Sequence, residues 1–121
     1  MPWKKANPDL VRLLEKVIID FPCDRRFMFG SPTFFVNGNM FAGVHQDTVI
    51  LRFSLDAQKK LYTKYAEAGP FTPTPNRPMR EYAALTSGLV KNDKIFRGLV
   101  AQSYKYAAAL PPKPEKKRKS R

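Results

Sequence analysis

The pair Asn37-Gly38 lies between two apolar runs, Phe34-Phe35-Val36 and Met40-Phe41-Ala42. A type I′ turn needs φ > 0 at both central residues, and Asn followed by Gly meets that need at the least steric cost. The pair therefore predicts a tight hairpin of Thr33–Val36 with Asn39–Val44. A hairpin fixed in this way assigns every second side chain to one of two faces, so it constrains the whole sheet around it. Residues 25–53 are dense in Phe, Val, Thr and Ile. His45-Gln46-Asp47 is a second polar break, and Thr48–Phe53 reads as a third strand, with Val49, Leu51 and Phe53 on one side and Ile50 and Arg52 on the other. Arg25–Phe29 adds a strand before the break at Gly30-Ser31-Pro32. The expectation is a meander of three or four antiparallel strands.

Helices flank this region. Asn7-Pro8-Asp9 supplies an N-cap, a proline at the first position and an acid at the positive end of the dipole. Leu10, Leu13, Leu14, Val17, Ile18 and Phe21 follow at spacings of three and four, the apolar stripe of an amphipathic helix. Phe21-Pro22 ends it. Ser54 caps a second helix, with Leu55, Leu61, Tyr62 and Tyr65 as the expected stripe and Gly69 as its closing glycine. Pro70, Pro73, Pro75 and Pro78 then predict an extended surface connection. Met79–Leu85 makes one more strand. Asn92-Asp93 caps a last helix whose inner face is Ile95, Phe96, Leu99, Val100, Ser103, Tyr104 and Ala107, and Pro111-Pro112 stops it. This order favours an α+β fold, a two-layer antiparallel sheet (meander) packed against helices.

The chain's 121 residues suit one domain, and 43% hydrophobic residues can fill its core. The domain is expected over 1–112, with 113–121 a disordered tail that has no apolar side chain to offset ordering entropy. That tail holds Lys113, Lys116, Lys117, Arg118, Lys119 and Arg121 against Glu115 alone. Of the formal net charge of +12, the tail supplies +5 and the rest of the chain +7. A basic chain is drawn to phosphate polymers and acidic surfaces. No apolar run approaches the roughly 18 residues of a membrane span, and the lone Cys23 fits a reducing compartment, so a cytoplasmic location with no membrane contact is expected.

The residues that carry chemistry are sparse. One Cys and one His, Cys23 and His45, cannot make a zinc site, and the ten acidic residues are scattered, so no metal and no cofactor is expected. His45 reads as a solvated turn residue. Cys23 stands near Arg25 and Arg26, whose charges would lower its pKa, although a structural cysteine is the commoner case. The aromatics Phe27, Phe29, Phe34, Phe35, Phe41 and Phe53 could stack on bases beside Arg25, Arg26, Arg52 and Lys91, but their positions favour core. Arg77, Arg80 and Tyr82 form the best candidate cluster for an anionic ligand or partner, and the tail cations are the candidate nucleic-acid contacts.

A longer succession of residues carries a resemblance. It runs from Phe27-Met28-Phe29-Gly30 through Phe34-Phe35-Val36-Asn37-Gly38-Asn39-Met40-Phe41-Ala42-Gly43 and Leu51-Arg52-Phe53. It continues through Pro70-Phe71, Arg77-Pro78-Met79 with Tyr82, and a terminal helix into Leu110-Pro111-Pro112-Lys113. Over about residues 8–112 the chain resembles the N-terminal domain of the TfoX/Sxy regulators. The resemblance implies a secretion-chaperone-like two-layer fold and no catalytic residues to transfer. It also implies a regulatory part in DNA uptake competence, beside a cyclic-AMP-responsive transcription factor. In full-length members a second domain follows, and this sequence ends where that domain would begin.

The expected function is thus a non-catalytic binding or regulatory module acting through a protein partner. The alternative is a nucleic-acid-associated protein whose binding is weak and non-specific, and a homodimer is left open. The turn gives the sharpest test. Gly38→Val should destabilise the fold by about 1–3 kcal/mol, because a β-branched residue resists φ > 0. Asn37→Ala should cost less. A wild-type denaturant midpoint for Gly38→Val would show the turn to be of another type.

Overall fold

The computed structural model describes residues 7–28, 31–74 and 77–111. In chain order these form α1 (Pro8–Ile18), β1 (Asp24–Met28), β2 (Ser31–Val36), β3 (Asn39–His45), β4 (Thr48–Arg52) and α2 (Leu55–Lys64). Then come β5 (Ala68–Thr74), β6 (Arg77–Thr86), α3 (Ser87–Val90) and α4 (Asp93–Ala109). The strands make one six-stranded antiparallel sheet in the order β1-β2-β3-β4-β6-β5. The fold is α+β, as the order of elements predicts.

The turn is as expected. Asn37 and Gly38 take φ of 54° and 79°. The helix caps follow the sequence as well: Asn7 Oδ1 accepts from the Asp9 amide, Ser54 Oγ from Ala57, and Asn92 Oδ1 from Ile95. Asn7 does more than cap. Its own amide donates to the Gln46 carbonyl at 2.8 Å, which ties α1 to the β3–β4 turn, where Gln46 is held at φ 55°.

All four helices pack on one side of the sheet. Leu10, Leu14, Val17 and Ile18 of α1, Leu61 of α2, Leu89 and Val90 of α3, and Phe96, Leu99, Val100 and Ala107 of α4 form one buried cluster. From the sheet it takes Phe34, Val36, Phe41, Ala42, Val44, Val49, Leu51, Phe53, Ala83 and Leu85. Val49, Leu51 and Phe53 thus share the core face, as the alternation predicts.

A bulge breaks the β2–β3 register. Phe34 pairs with Ala42, but the next residue, Phe35, pairs with Met40, so Phe41 is the extra residue on β3. Phe41 and Ala42, consecutive in the chain, are both fully buried in the core. The β3–β4 ladder stops at Ala42–Leu51. At the next position Ser103 of α4 takes over: its Oγ accepts from the Arg52 amide at 3.0 Å and donates to the Phe41 carbonyl at 2.9 Å.

The sequence reading needs four corrections. The four prolines do not make a bare connection: Pro70 and Pro73 lie in the edge strand β5, Pro78 lies in β6 where the β5–β6 register shifts, and Pro75 is outside the described residues. Edge strands tolerate proline because one side of their backbone has no ladder to serve. Gly69 is part of β5, and α2 ends earlier, with Tyr65 as its C-cap. Leu55 is 46% exposed, and its expected core place goes to Gln58, whose side chain donates to the Phe53 carbonyl and accepts from the Tyr62 hydroxyl. Ser31 and Pro32 lie within β2 rather than in a break, with Ser31 Oγ donating to the Val44 carbonyl.

Ser103 is fully buried and holds two backbone groups at once. Ser103→Ala would strand the Arg52 amide and the Phe41 carbonyl at no gain in volume. It should lower stability by about 1–3 kcal/mol, beyond the small gain from alanine's better helix propensity. Urea unfolding would measure this, and an unchanged midpoint would show that the bridge contributes nothing.

Candidate binding surface

Among the described residues, no helix covers the second face of the sheet. By the pleat it carries Phe35 on β2, Met40, Gly43 and His45 on β3, Ile50 and Arg52 on β4, and Tyr82 and Ala84 on β6. The bulge brings Met40 to this face, where its Cε lies 3.3 Å from the position a Cβ would take on Gly43. The Phe71 ring of β5 meets the His45 ring of β3 at 5.1 Å, although β4 and β6 lie between their strands. Strands stand roughly 4.8 Å apart, so three steps on a flat sheet would separate them by about 14 Å. The sheet therefore curls toward this face, which explains why Ile50 is 2% exposed without a helix above it. A shallow groove opens at this end between His45, Thr48, Phe71 and Ala84.

The opposite end of the face is built differently. Arg26 of β1 lies over the Phe35 ring at 4.8 Å, and Arg52 lies over the Tyr82 ring at 5.4 Å. Tyr82 reaches across β4 to donate to the Met40 carbonyl at 3.4 Å. Burial pushes its phenol pKa up. Arg52 pulls the other way, while Glu81 and Tyr106 add to the rise. Tyr82 is therefore a neutral donor at physiological pH. Arg52 also holds the Glu81 carboxylate at 2.7 Å, whose second oxygen accepts from Tyr106 of α4 at 3.1 Å.

The sequence candidates sort out as follows. Tyr82 is engaged with Met40 and Arg52; the side chains of Arg77 and Arg80 lie outside the described part of the structure, as do residues 113–121. Of the cations expected beside the aromatics, Arg26 and Arg52 reach the uncovered face. Arg25 turns to Glu15 of α1 at 2.7 Å, and Lys91 lines a hollow beside α1. Phe34, Phe41 and Phe53 are core, and Phe35 is the half-buried exception. The Phe27 side chain and Phe29 fall outside the described residues. His45 is half-buried against Phe71 rather than a solvated turn residue. The Arg26–Phe35 and Arg52–Tyr82 pairs were beyond sequence reading, because each depends on cross-strand register.

At Cys23 the structure goes against the lesser reading, a thiol activated by its arginine neighbours. Its thiol pKa is raised, first by burial and then by the neighbouring Asp24 carboxylate; no net lowering by Arg25 and Arg26 results. A raised pKa leaves less thiolate at any pH below it, so Cys23 is a poor nucleophile near neutrality. Its alkylation by iodoacetamide at pH 8 should run several-fold slower than that of free cysteine. A rate equal to or above the free thiol would contradict the structure.

The described residues hold no group of three His, Cys, Asp or Glu side chains placed for a metal ion, and none of their helices is long and apolar enough to cross a membrane. No curated protein matches the sequence closely enough to count as a relative. A family model does match: that of the TfoX N-terminal domain, over residues 21–107. The match takes in every strand, α2, α3 and most of α4, and on that breadth the chain belongs to the TfoX N-terminal domain family.

Proposed function

We propose that this chain is a non-catalytic, cytoplasmic regulatory module that works through protein contacts. The observation that carries this is the one-sided helix layer. The core is complete on one face of the sheet, while the other face leaves the groove between His45 and Phe71 uncovered by any described element. The apolar side chains that line this groove, Pro70, Phe71 and Ala84, gain free energy when a partner removes them from water. The TfoX N-terminal domain family is not a known enzyme family, which supports the non-catalytic part of the reading. The likeness to TfoX regulators supports transcription control of DNA uptake competence as the setting and a cyclic-AMP-responsive transcription factor as the partner.

Calorimetric titration of the full chain against that transcription factor from the same cell, with cyclic AMP present, tests the reading. Saturable binding is expected. Phe71→Ala should weaken it about tenfold or more, as for a buried aromatic anchor. Leu55→Ala, on the helix side, should leave it unchanged. Absence of binding, or equal effects of the two substitutions, would count against the proposal.

A further inference from the structure

Gln46 holds a backbone conformation that its side chain disfavours. It is the first central residue of the two-residue turn between β3 and β4, where His45 pairs with Thr48. Its φ is 55°, and within this turn no other residue has positive φ. That is the φ pattern of a type II′ turn, which favours glycine at this first position. A residue with a side chain stays there only where its surroundings hold it.

Two residues do so here. Thr48 Oγ1 donates to the His45 carbonyl at 2.9 Å, from within the turn. Asn7 acts from outside it. Its backbone N–H donates to the Gln46 carbonyl at 2.8 Å, and its Nδ2 donates to Asp47 Oδ1 at 3.2 Å. The third polar group of the same residue, Oδ1, caps α1 by accepting from the Asp9 amide at 2.9 Å. That helix is seated in the core by Leu10 and Leu14, both fully buried. One residue thus joins a fixed helix to a turn held in an unfavourable conformation.

The turn belongs to the candidate surface. All four of its residues, His45 to Thr48, line the groove beside Phe71, and the His45 ring meets the Phe71 ring at 5.1 Å. Asn7 itself is not among the described residues that line the groove.

We propose that Asn7 is a latch through which α1 sets the shape of this groove, so that affinity for a protein partner is controlled from α1. The proposal rests on the protein-contact reading of the groove and adds a means of regulation to it. While the latch is closed, Gln46 is held at positive φ and His45 stands against Phe71. A displacement of α1 frees the turn, Gln46 relaxes toward negative φ, and His45 leaves its place. The coupling runs both ways, since a partner seated in the groove favours the closed latch and steadies the first turn of α1. Asn7 is therefore a positioning residue that acts through the turn.

The test changes the latch and leaves the groove lining and the helix cap in place. Asn7→Asp keeps an acceptor for the Asp9 amide and suits the positive end of α1, but it sets a carboxylate against Asp47. In calorimetric titration of the full chain with the cyclic-AMP-responsive transcription factor, it should weaken binding about fivefold or more. With no partner present, the His45 imidazole resonances in a proton NMR spectrum should move as well, because the Phe71 ring no longer shields them. Adding Asp47→Asn should restore both readouts, since the new amide at position 47 can donate to the new carboxylate at position 7. Asp47→Asn alone should cost less than Asn7→Asp, because an amide oxygen still accepts from Asn7 Nδ2. Asn7→Ser keeps the cap and deletes only the Nδ2 donor. It should move both readouts the same way by less, and it keeps the test open if thermal melts show that Asn7→Asp does not fold.

Unchanged affinity and unmoved His45 resonances in Asn7→Asp would overturn the proposal. So would weaker binding with those resonances unmoved, since the effect would not pass through the turn. A double variant no better than Asn7→Asp would reduce Asn7 to a helix cap. Binding that depends on Phe71 but not on Asn7 leaves the functional reading standing and removes the latch. If the wild-type chain does not bind that partner, the functional reading falls, and the His45 resonances of the same variants still decide whether the latch exists.

Discussion

The hydroxyl of Ser103 stands where a β-ladder hydrogen bond would otherwise run, and much of the fold depends on it. Beyond Ala42–Leu51 the strands β3 and β4 no longer pair directly, and the Phe41 carbonyl and Arg52 amide would be buried without partners. Two orphaned backbone groups in a core cost more than a typical hydrogen bond returns. α4 supplies both partners with one small side chain. It can do so because its inner stripe includes Ser103 and Ala107, both fully buried, which let the helix come close to the strands. The docking of α4 and the splaying of β3 from β4 are therefore one event seen from two sides.

The Phe41 bulge lies where β3 and β4 stop pairing, and it decides which side chains face outward. With one extra residue on β3, Phe41 joins Ala42 in the core, and Met40 comes to the uncovered face opposite Phe35. Phe41 then packs edge-on against Tyr104 of α4 at 5.2 Å, and Phe21 meets the same Tyr104 ring at 5.1 Å. The uncovered face gains Phe35, Met40 and the Tyr82 hydroxyl bond to Met40 in the same step. A defect in one ladder thus both seats the helix and builds the corner that Arg26 occupies.

How legible this was in the sequence depended on the range of the interaction. Asn37-Gly38, the caps at Asn7, Ser54 and Asn92, and the stripes of α1 and α4 rest on residues within a turn or two of one another, and the structure follows them. β5 was hidden because Pro70 and Pro73 speak against a strand, and only its place at the sheet edge makes them harmless. α3 spans four residues, too few to show a period. Gln58 reads as a solvent-facing residue until the Phe53 carbonyl needs a donor. Within the candidate surface, Tyr82 was visible as an aromatic among cations, but its partners were not. Arg26 and Phe35 are nine positions apart, and nothing local distinguishes Arg26, which stacks, from Arg25, which turns to Glu15. Pairing of β1 with β2 separates them, since Arg25 stands opposite the buried Phe34 and Arg26 opposite Thr33 on the other face.

The distribution of charge follows from the same architecture. Acids that form described ion pairs sit largely on the helical side: Asp9 with Arg12, Glu15 with Arg25, and Asp20 and Asp93 with Arg97. These pairs are well exposed, and exposed pairs contribute at most about 1 kcal/mol each. They pin α1 to β1 and α4 to the end of α1 more than they stabilise the core. Because so few acids are available, the chain keeps a surplus of +12, and a surplus of one sign repels itself in the compact state. Solubility alone would be served as well by acidic residues. A cost in self-repulsion with little return in pairing is understandable if the charge acts on something outside the chain.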